Sequence, residues 1–192
     1  MNILDQFRYS KDDPSQLNIK LKQDPYEKVT VSKNQNINNL LSTSVKVSKE
    51  IFPGISIAID HVFDRLKIKN SFSFFVTANH LEVQATCSAM PLGDTAEIIL
   101  TSKLIELLNT EELESIIAHE IAHFYYQHSL YPPISEAKTR IEKLNLLNFS
   151  RAAEISADRI GFIGSNDLEA SLRAMLKITS GLSDKHLKFN FS

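Results

Sequence analysis

His119, Glu120 and His123 stand in the stretch SIIAHEIAHFYYQH, residues 115–128, which holds three of the chain's six histidines. Two imidazoles four residues apart, with a carboxylate beside the first, form HExxH, a pattern whose chemistry depends on the stretch being helical. At about 100° per residue the two histidines lie roughly 40° apart on one helix face, so both rings reach a single metal ion. Glu120 flanks them around the helix, where its carboxylate faces a water on the metal and not the metal itself. That is the position of a general base. Local signals favour the helix: Asn109 with Glu112 three residues on makes a capping-box pattern, and Leu113, Ile116, Ile117, Ile121 and Phe124 form an apolar stripe.

A catalytic zinc takes three protein ligands and keeps one position open. His128 is the nearest further candidate, but a continuing helix points it roughly 140° from His123 and 180° from His119. It reaches the metal only if the helix breaks first. The metzincin pattern asks for a glycine three residues after the second histidine and a histidine three later, where this chain has Tyr126 and Ser129. Glu154, in SRAAEISADRIG, is the better third ligand. Asp158 follows one helical turn later, on the same face, where it can accept the second ring N–H of a ligand histidine and fix its orientation.

The elements that must hold these residues read as helices, a compact sheet, then helices again. Residues 1–35 are polar, carry Pro14 and Pro25, and offer only the strand-like KVTVS, which predicts an irregular arm or cover. Ile37, Leu40, Leu41, Val45 and Val47 recur at helical spacing until Pro53 and Gly54 stop the pattern, and a second helix is expected from Ile57 to Leu66. SFSFFVTA, LEVQATCSA and AEIILTS are short runs rich in Phe, Val, Ile and Thr, separated by turn signals; they predict a sheet of three or more strands. Beyond Ser102 come the helical pieces KLIELL, EELESIIAHEIAHFYYQH, ISEAKTRIEKLNLL, RAAEISADRIGF and LEASLRAMLKIT. The expected class is α+β. A single domain over 1–192 is expected, with the arm at 1–35, helices and sheet at 36–110, and a helical zinc-binding half at 111–192.

Composition narrows the function. The chain has 192 residues, 43% of them hydrophobic, enough to bury a core without staples. Net charge is −2 and the basic residues are scattered, which argues against a nucleic-acid partner. No stretch approaches the roughly 18 to 20 apolar residues that span a bilayer, so no integral membrane segment is expected. One cysteine, Cys87, excludes an internal disulfide framework, and the N-terminus lacks the apolar core of a signal peptide. Together these predict a cytoplasmic protein. His61 and His80 are expected to be ordinary surface histidines, Cys87 a small buried hydrophobe, and Arg159 half of a structural ion pair.

EELESIIAHEIAH with His128 beyond it, followed some thirty residues later by AAEISADRIG, resembles the soluble catalytic domain of the family that includes the CaaX prenyl proteases, the HtpX-like heat-shock proteases and the minigluzincins. The matching positions are Glu112, Leu113, His119 to His123, His128, Glu154, Asp158 and Arg159. The resemblance implies a zincin-like fold and one zinc per chain, held by His119, His123 and Glu154. It also implies an endopeptidase acting on protein or peptide substrates, in protein quality control. The family's Asn-Ala-x-Ala-x-Pro stretch is incomplete: Ala89 and Pro91 are present and the asparagine is absent. In the mechanism implied, a water in the open metal position gives its proton to Glu120, attacks the peptide carbonyl, and Glu120 returns the proton to the leaving amine. Tyr126, Tyr131, Arg173 and His186 are candidates for stabilising the oxyanion. An extended peptide is expected to add to the edge strand EVQATCSA, over a shallow cleft. The alternative is a zinc-binding module of the same fold that grips peptides but is silent or latent, its cleft covered by the N-terminal arm.

Overall fold

The computed structural model describes residues 3–13, 15, 42–78, 82–89 and 95–189. Its helices and strands are α1 (Ile3–Phe7), β1 (Ser44–Lys46), α2 (Pro53–Leu66), β2 (Ser71–Thr77), β3 (Ala85–Ala89), β4 (Thr95–Thr101), α3 (Ser102–Leu107), α4 (Thr110–Tyr125), α5 (Arg140–Ser165) and α6 (Leu168–Ser180). Short 3-10 turns lie at His128–Leu130 and Ile134–Glu136. The fold is α+β. KVTVS, Pro14, Pro25, Ile37, Leu40, Leu41, His80 and Pro91 lie outside the described residues.

Four strands pair in the order β1-β2-β4-β3. The two inner strands run parallel, Phe74 opposite Ile98, and each carries an antiparallel edge strand. Phe74, Ile98 and Leu100 enter one buried core with Ala58, Val62 and Leu66 of α2 and Ile117 and Ile121 of α4. Phe63, Phe72 and Phe74 stack beside it, and Phe124 closes the group edge-on against Phe72 at 5.2 Å. The apolar stripe of α4 thus lies against the sheet, which turns His119 and His123 to the opposite, partly exposed side.

Two boundaries differ from those expected. Val45 lies on a strand opposite Val76, and the Val47 N–H donates to the Phe74 carbonyl, where a helix was expected. Over so short a run the two periodicities overlap, and β-branched side chains beside a phenylalanine-rich partner settle on the pleat. Helix α2 begins at Pro53 instead of after it, because a proline in the first turn gives up an N–H that has no intrahelical partner anyway.

The third-ligand region differs more. RIEKLNLL, the second half of ISEAKTRIEKLNLL, and RAAEISADRIGF, read as separate pieces, lie on one 26-residue helix, α5, started by the reciprocal capping of Thr139 and Glu142, while Ile134–Glu136 forms a 3-10 turn ahead of it. Along α4 this helix offers Ala153, Ala157, Gly161 and Gly164, all buried, against Ser115 and Ala118. Small residues on both sides let the backbones come close, and that approach carries Glu154 and Asp158 to the histidines.

The polar N-terminus is also more structured than an irregular arm. Leu4 is 1% exposed in the core, the Tyr126 hydroxyl donates to its carbonyl at 2.6 Å, and the Tyr9 N–H donates to Ser156 of α5 at 2.9 Å. Residues 3–13 pack behind α4 and α5.

Candidate metal centre

His119 and His123 project from the last two turns of α4, and Glu154 from α5. Their ligand atoms converge: Nε2 of His119 and Nε2 of His123 are 2.9 Å apart, and Oε2 of Glu154 lies 3.4 and 3.8 Å from them. A tetrahedral zinc with bonds of about 2.0 to 2.1 Å separates its ligands by about 3.3 Å. The three distances bracket that value, so the residues present fit the ion.

The far side of each ring strengthens the fit. His119 presents Nδ1 to Asp158 at 3.0 Å, the arrangement expected from the helical spacing of Glu154 and Asp158. A carboxylate only accepts, so this bond keeps a proton on Nδ1 and makes Nε2 the nitrogen that a metal ion takes over by displacing a proton. His123 faces Nδ1 of His128 with its own Nδ1, at 2.8 Å. Two imidazole nitrogens and a carboxylate oxygen then point at one spot that calls for a cation. The electrostatics agree. Burial works against a charge on His119, yet its hydrogen bonds to Asp158 and Glu154 raise it to about 9, whereas burial and the His119 charge lower His123 to about 4. Hydrogen bonding to His119 holds Glu154 below its ordinary carboxylate value against its own partial burial.

His128 returns to the site because the helix does break. Helix α4 ends at Tyr125, three residues short of the His128 that closes the helical piece expected there; Gln127 takes the left-handed conformation at φ 57°, ψ 38°, and a 3-10 turn follows. That reversal places His128 behind His123, 6% exposed, with its Nε2 on Asp12 at 3.0 Å. Asp12 is fully buried and also accepts from the Tyr131 hydroxyl at 2.8 Å and Arg8 Nε at 3.2 Å. Burial pushes its carboxyl upward, but the hydrogen bonds from His128, Ser156 and Tyr131 prevail and hold it at about 2. A left-handed residue other than glycine costs about 1 to 2 kcal/mol. Gln127→Gly is therefore expected to keep or raise the unfolding midpoint, and the β-branched Gln127→Val to lower stability by about 1 to 2 kcal/mol, read by thermal or urea unfolding.

Glu120 does not join the ligands. Its carboxylate accepts from the Cys87 backbone N–H on β3, and burial raises it above its ordinary value, the direction a general base at neutral pH requires. Burial and the Glu120 charge push the Cys87 thiol up to about 12, so it is a neutral thiol. The site opens into two connected hollows. One, of about 650 Å³, runs past Thr86, Tyr131, Pro133, Leu146 and Phe149; the other, of about 320 Å³, past Val83, Ile116, Gly161, Met175 and Ile178. His119, Glu120 and Glu154 line both.

Other candidates lie elsewhere. Tyr126 donates to Leu4 and Tyr131 to Asp12; Arg173 pairs with Glu112 and Glu169; His186 sits in an exposed turn. None of the four faces the cluster with a free donor. His61 holds the buried Glu114 at 2.6 Å with Arg65, and Arg159 lies over the Tyr9 ring at 5.1 Å where an ion pair was expected. Asp12 escaped sequence reasoning altogether, since one of two adjacent acids in a polar segment carries no period and stands 116 residues from its partner His128. The unexplained His128 was the one signal that something had to lie behind His123.

Two histidines and a carboxylate that converge beside a partly buried glutamate make a donor set of the kind that metallopeptidases use. The comparisons point the same way: residues 56–139 match the model of Peptidase family M48. The chain is also similar to the "Plastoglobule-localized metallopeptidase 48, chloroplastic" of Arabidopsis thaliana, 26% identical over 103 residues that cover 46% of this chain. The chain spans about 30% of the length of that relative. No solved structure matches. The family match takes in β2, β3, β4 and the HExxH helix and ends before Glu154, so the proposed third ligand rests on the geometry of α5. Among the described residues no helix is long and apolar enough to cross a membrane.

Proposed function

We propose that this chain is a zinc-dependent endopeptidase of zincin-like fold in which His119, His123 and Glu154 hold one zinc and Glu120 is the general base. The convergence of the three ligand atoms at 2.9, 3.4 and 3.8 Å beside the raised Glu120 carboxylate carries this reading. Zinc bound there supplies Lewis acidity, which polarises a peptide carbonyl and makes water a stronger acid. The chain's own residues do the rest. Glu120 takes the proton of the attacking water and hands it to the leaving amine, while the Cys87 N–H holds its carboxylate in place. Asp158 keeps the His119 ring turned so that Nε2 faces the metal position.

The substrate reading comes from β3. It pairs with β4 along one edge, and its Ala85, Thr86 and Cys87 line the larger hollow next to Glu120. An extended peptide lying along the other edge gains main-chain hydrogen bonds there and crosses from one hollow to the other over the metal. Apolar walls on both sides, Leu146 and Phe149 in one hollow and Ile116 and Ile178 in the other, favour apolar side chains flanking the scissile bond.

The test couples metal to turnover. Purified chain is expected to carry one zinc, cleave casein or a quenched apolar peptide, lose that cleavage to a chelator and regain it with added zinc. Glu154→Ala is expected to lose the zinc. Zinc without cleavage would leave the silent peptide-gripping module as the reading, and Glu154→Ala with undiminished zinc affinity would remove the proposed ligand set.

A further inference from the structure

Each ligand histidine is braced from behind, and the two braces differ. His119 leans on Asp158 directly, from the helix that also carries Glu154. His123 leans on His128, which leans on Asp12 of the N-terminal segment. We propose that Asp12 is a positioning residue for metal binding, acting through His128 to hold the His123 ring with its Nε2 lone pair on the metal position. This rests on the metal-centre reading above and goes beyond it, because it makes residues 3–13 part of the centre and not a cover over it.

The direction of the relay follows from donor and acceptor rules. A carboxylate only accepts, so His128 Nε2 donates to Asp12. A neutral imidazole has one N–H, so Nδ1 of His128 must accept, and the Nδ1–H of His123 must be what it accepts. Only Nε2 of His123 then has a free lone pair, and it faces Nε2 of His119 at 2.9 Å. Reversing any one bond would put a proton where the metal belongs.

The surroundings hold this arrangement rigidly. Asp12 is fully buried and His128 nearly so, and Arg8 and Tyr131 fix the carboxylate that starts the chain. The His128 ring lies between those of Tyr126 and Tyr131, at 5.5 and 5.4 Å. Ahead of Asp12 the segment is tied down twice, by Tyr126 to Leu4 and by Tyr9 to Ser156. The left-handed Gln127 is the turn that brings His128 into line. Lys67 and Asn166 end α2 and α5 in the same left-handed conformation, so the turn at Gln127 is an ordinary helix end that here delivers His128 to His123.

The measurement is zinc affinity, by competition with a chromogenic chelator, on variants checked for folding, with the visible spectrum of the cobalt-substituted protein as a second readout. His128→Phe keeps the ring packing and removes both nitrogens. It is expected to weaken zinc binding about 10- to 100-fold and to shift the cobalt bands, and Asp12→Ala to weaken binding in the same direction. Because Asp12 acts only through His128, the double variant is expected to be no weaker than His128→Phe. Tyr125→Phe, which removes the hydroxyl bond to Asp5 in the same segment and leaves Asp12, His128 and the rings around them in place, is expected to bind zinc as wild type does. The proposal is overturned if folded His128→Phe binds zinc within about twofold of wild type, if the two losses multiply, or if Tyr125→Phe loses as much. Should His128→Phe not fold, His128→Gln, whose amide can both donate and accept, is compared with His128→Met, which can do neither; equal affinities overturn it. Glu154→Ala in the same assay separates the two readings. If it keeps its zinc, the metal centre itself is wrong; if it loses zinc while His128→Phe does not, only the relay is.

Discussion

Glu120→Gln is expected to abolish peptide cleavage, by at least about a thousandfold, while zinc content stays at one per chain. General-base catalysis contributes about 10²- to 10⁴-fold where the base is correctly placed, and here the same carboxylate serves twice, at the attacking water and at the leaving amine. The amide is nearly the same size and still offers an oxygen to the Cys87 N–H, so the side chain has no reason to move. It lacks a basic lone pair. Since Glu120 is not among the proposed ligands His119, His123 and Glu154, zinc affinity is expected to remain within a few-fold of wild type, and thermal unfolding to be unchanged or slightly improved. The slight gain has a physical source, because the carboxylate is buried against its preference and the amide is neutral. Turnover of casein measured beside zinc content decides the matter. Undiminished cleavage would mean that another group activates the water, and loss of zinc would place Glu120 among the ligands.

The legible part of this site was whatever lay within one helix. His119 and His123 are four apart, as are Glu154 and Asp158, and a periodicity of 3.6 converts each spacing into a shared face with no knowledge of the rest of the fold. The capping pattern of Asn109 and Glu112 likewise became a reciprocal cap. What stayed hidden depended on contacts between distant segments. The helix stops at Tyr125, short of His128, and a left-handed glutamine leaves no mark that glycine would have left. His128 therefore looked turned away from the metal; it stays outside the three converging ligands, but the break brings it behind His123. Val45 fell on a strand because its partner Val76 decided the conformation, not its own spacing. Sequence periodicity reports the face a side chain takes; it does not report which segment covers that face.

The close approach of α4 and α5 gives the second large effect. A methyl added at Gly164, in the last turn of α5, would stand 2.2 Å from the Cβ of Ala118 on α4, so one helix has to move. Gly164→Ala is expected to destabilise the protein by about 2 to 3 kcal/mol even though alanine is the better helix former by about 1 kcal/mol, because overpacking costs more than propensity returns. The damage should reach the metal as well, since Glu154 and Asp158 ride on the displaced helix and His119 on the stationary one. Zinc affinity is expected to fall together with the unfolding midpoint. Exchanging the two residues separates sterics from chemistry: with Ala118→Gly alongside Gly164→Ala, the colliding methyl is gone and the next nearest atoms, Ala118 Cα and the Glu114 carbonyl oxygen, lie at ordinary contact, 3.6 and 3.8 Å. The double variant is expected to recover most of the lost stability and zinc affinity, a coupling of roughly 2 kcal/mol in a double-mutant cycle. Gly161 meets the Ser115 carbonyl oxygen at 2.9 Å, an atom no substitution removes, so Gly161→Ala has no such exchange and its cost should persist in every background. Additive losses at 118 and 164 would show that the helices have room to part, and that the placing of Glu154 does not depend on how closely they cross.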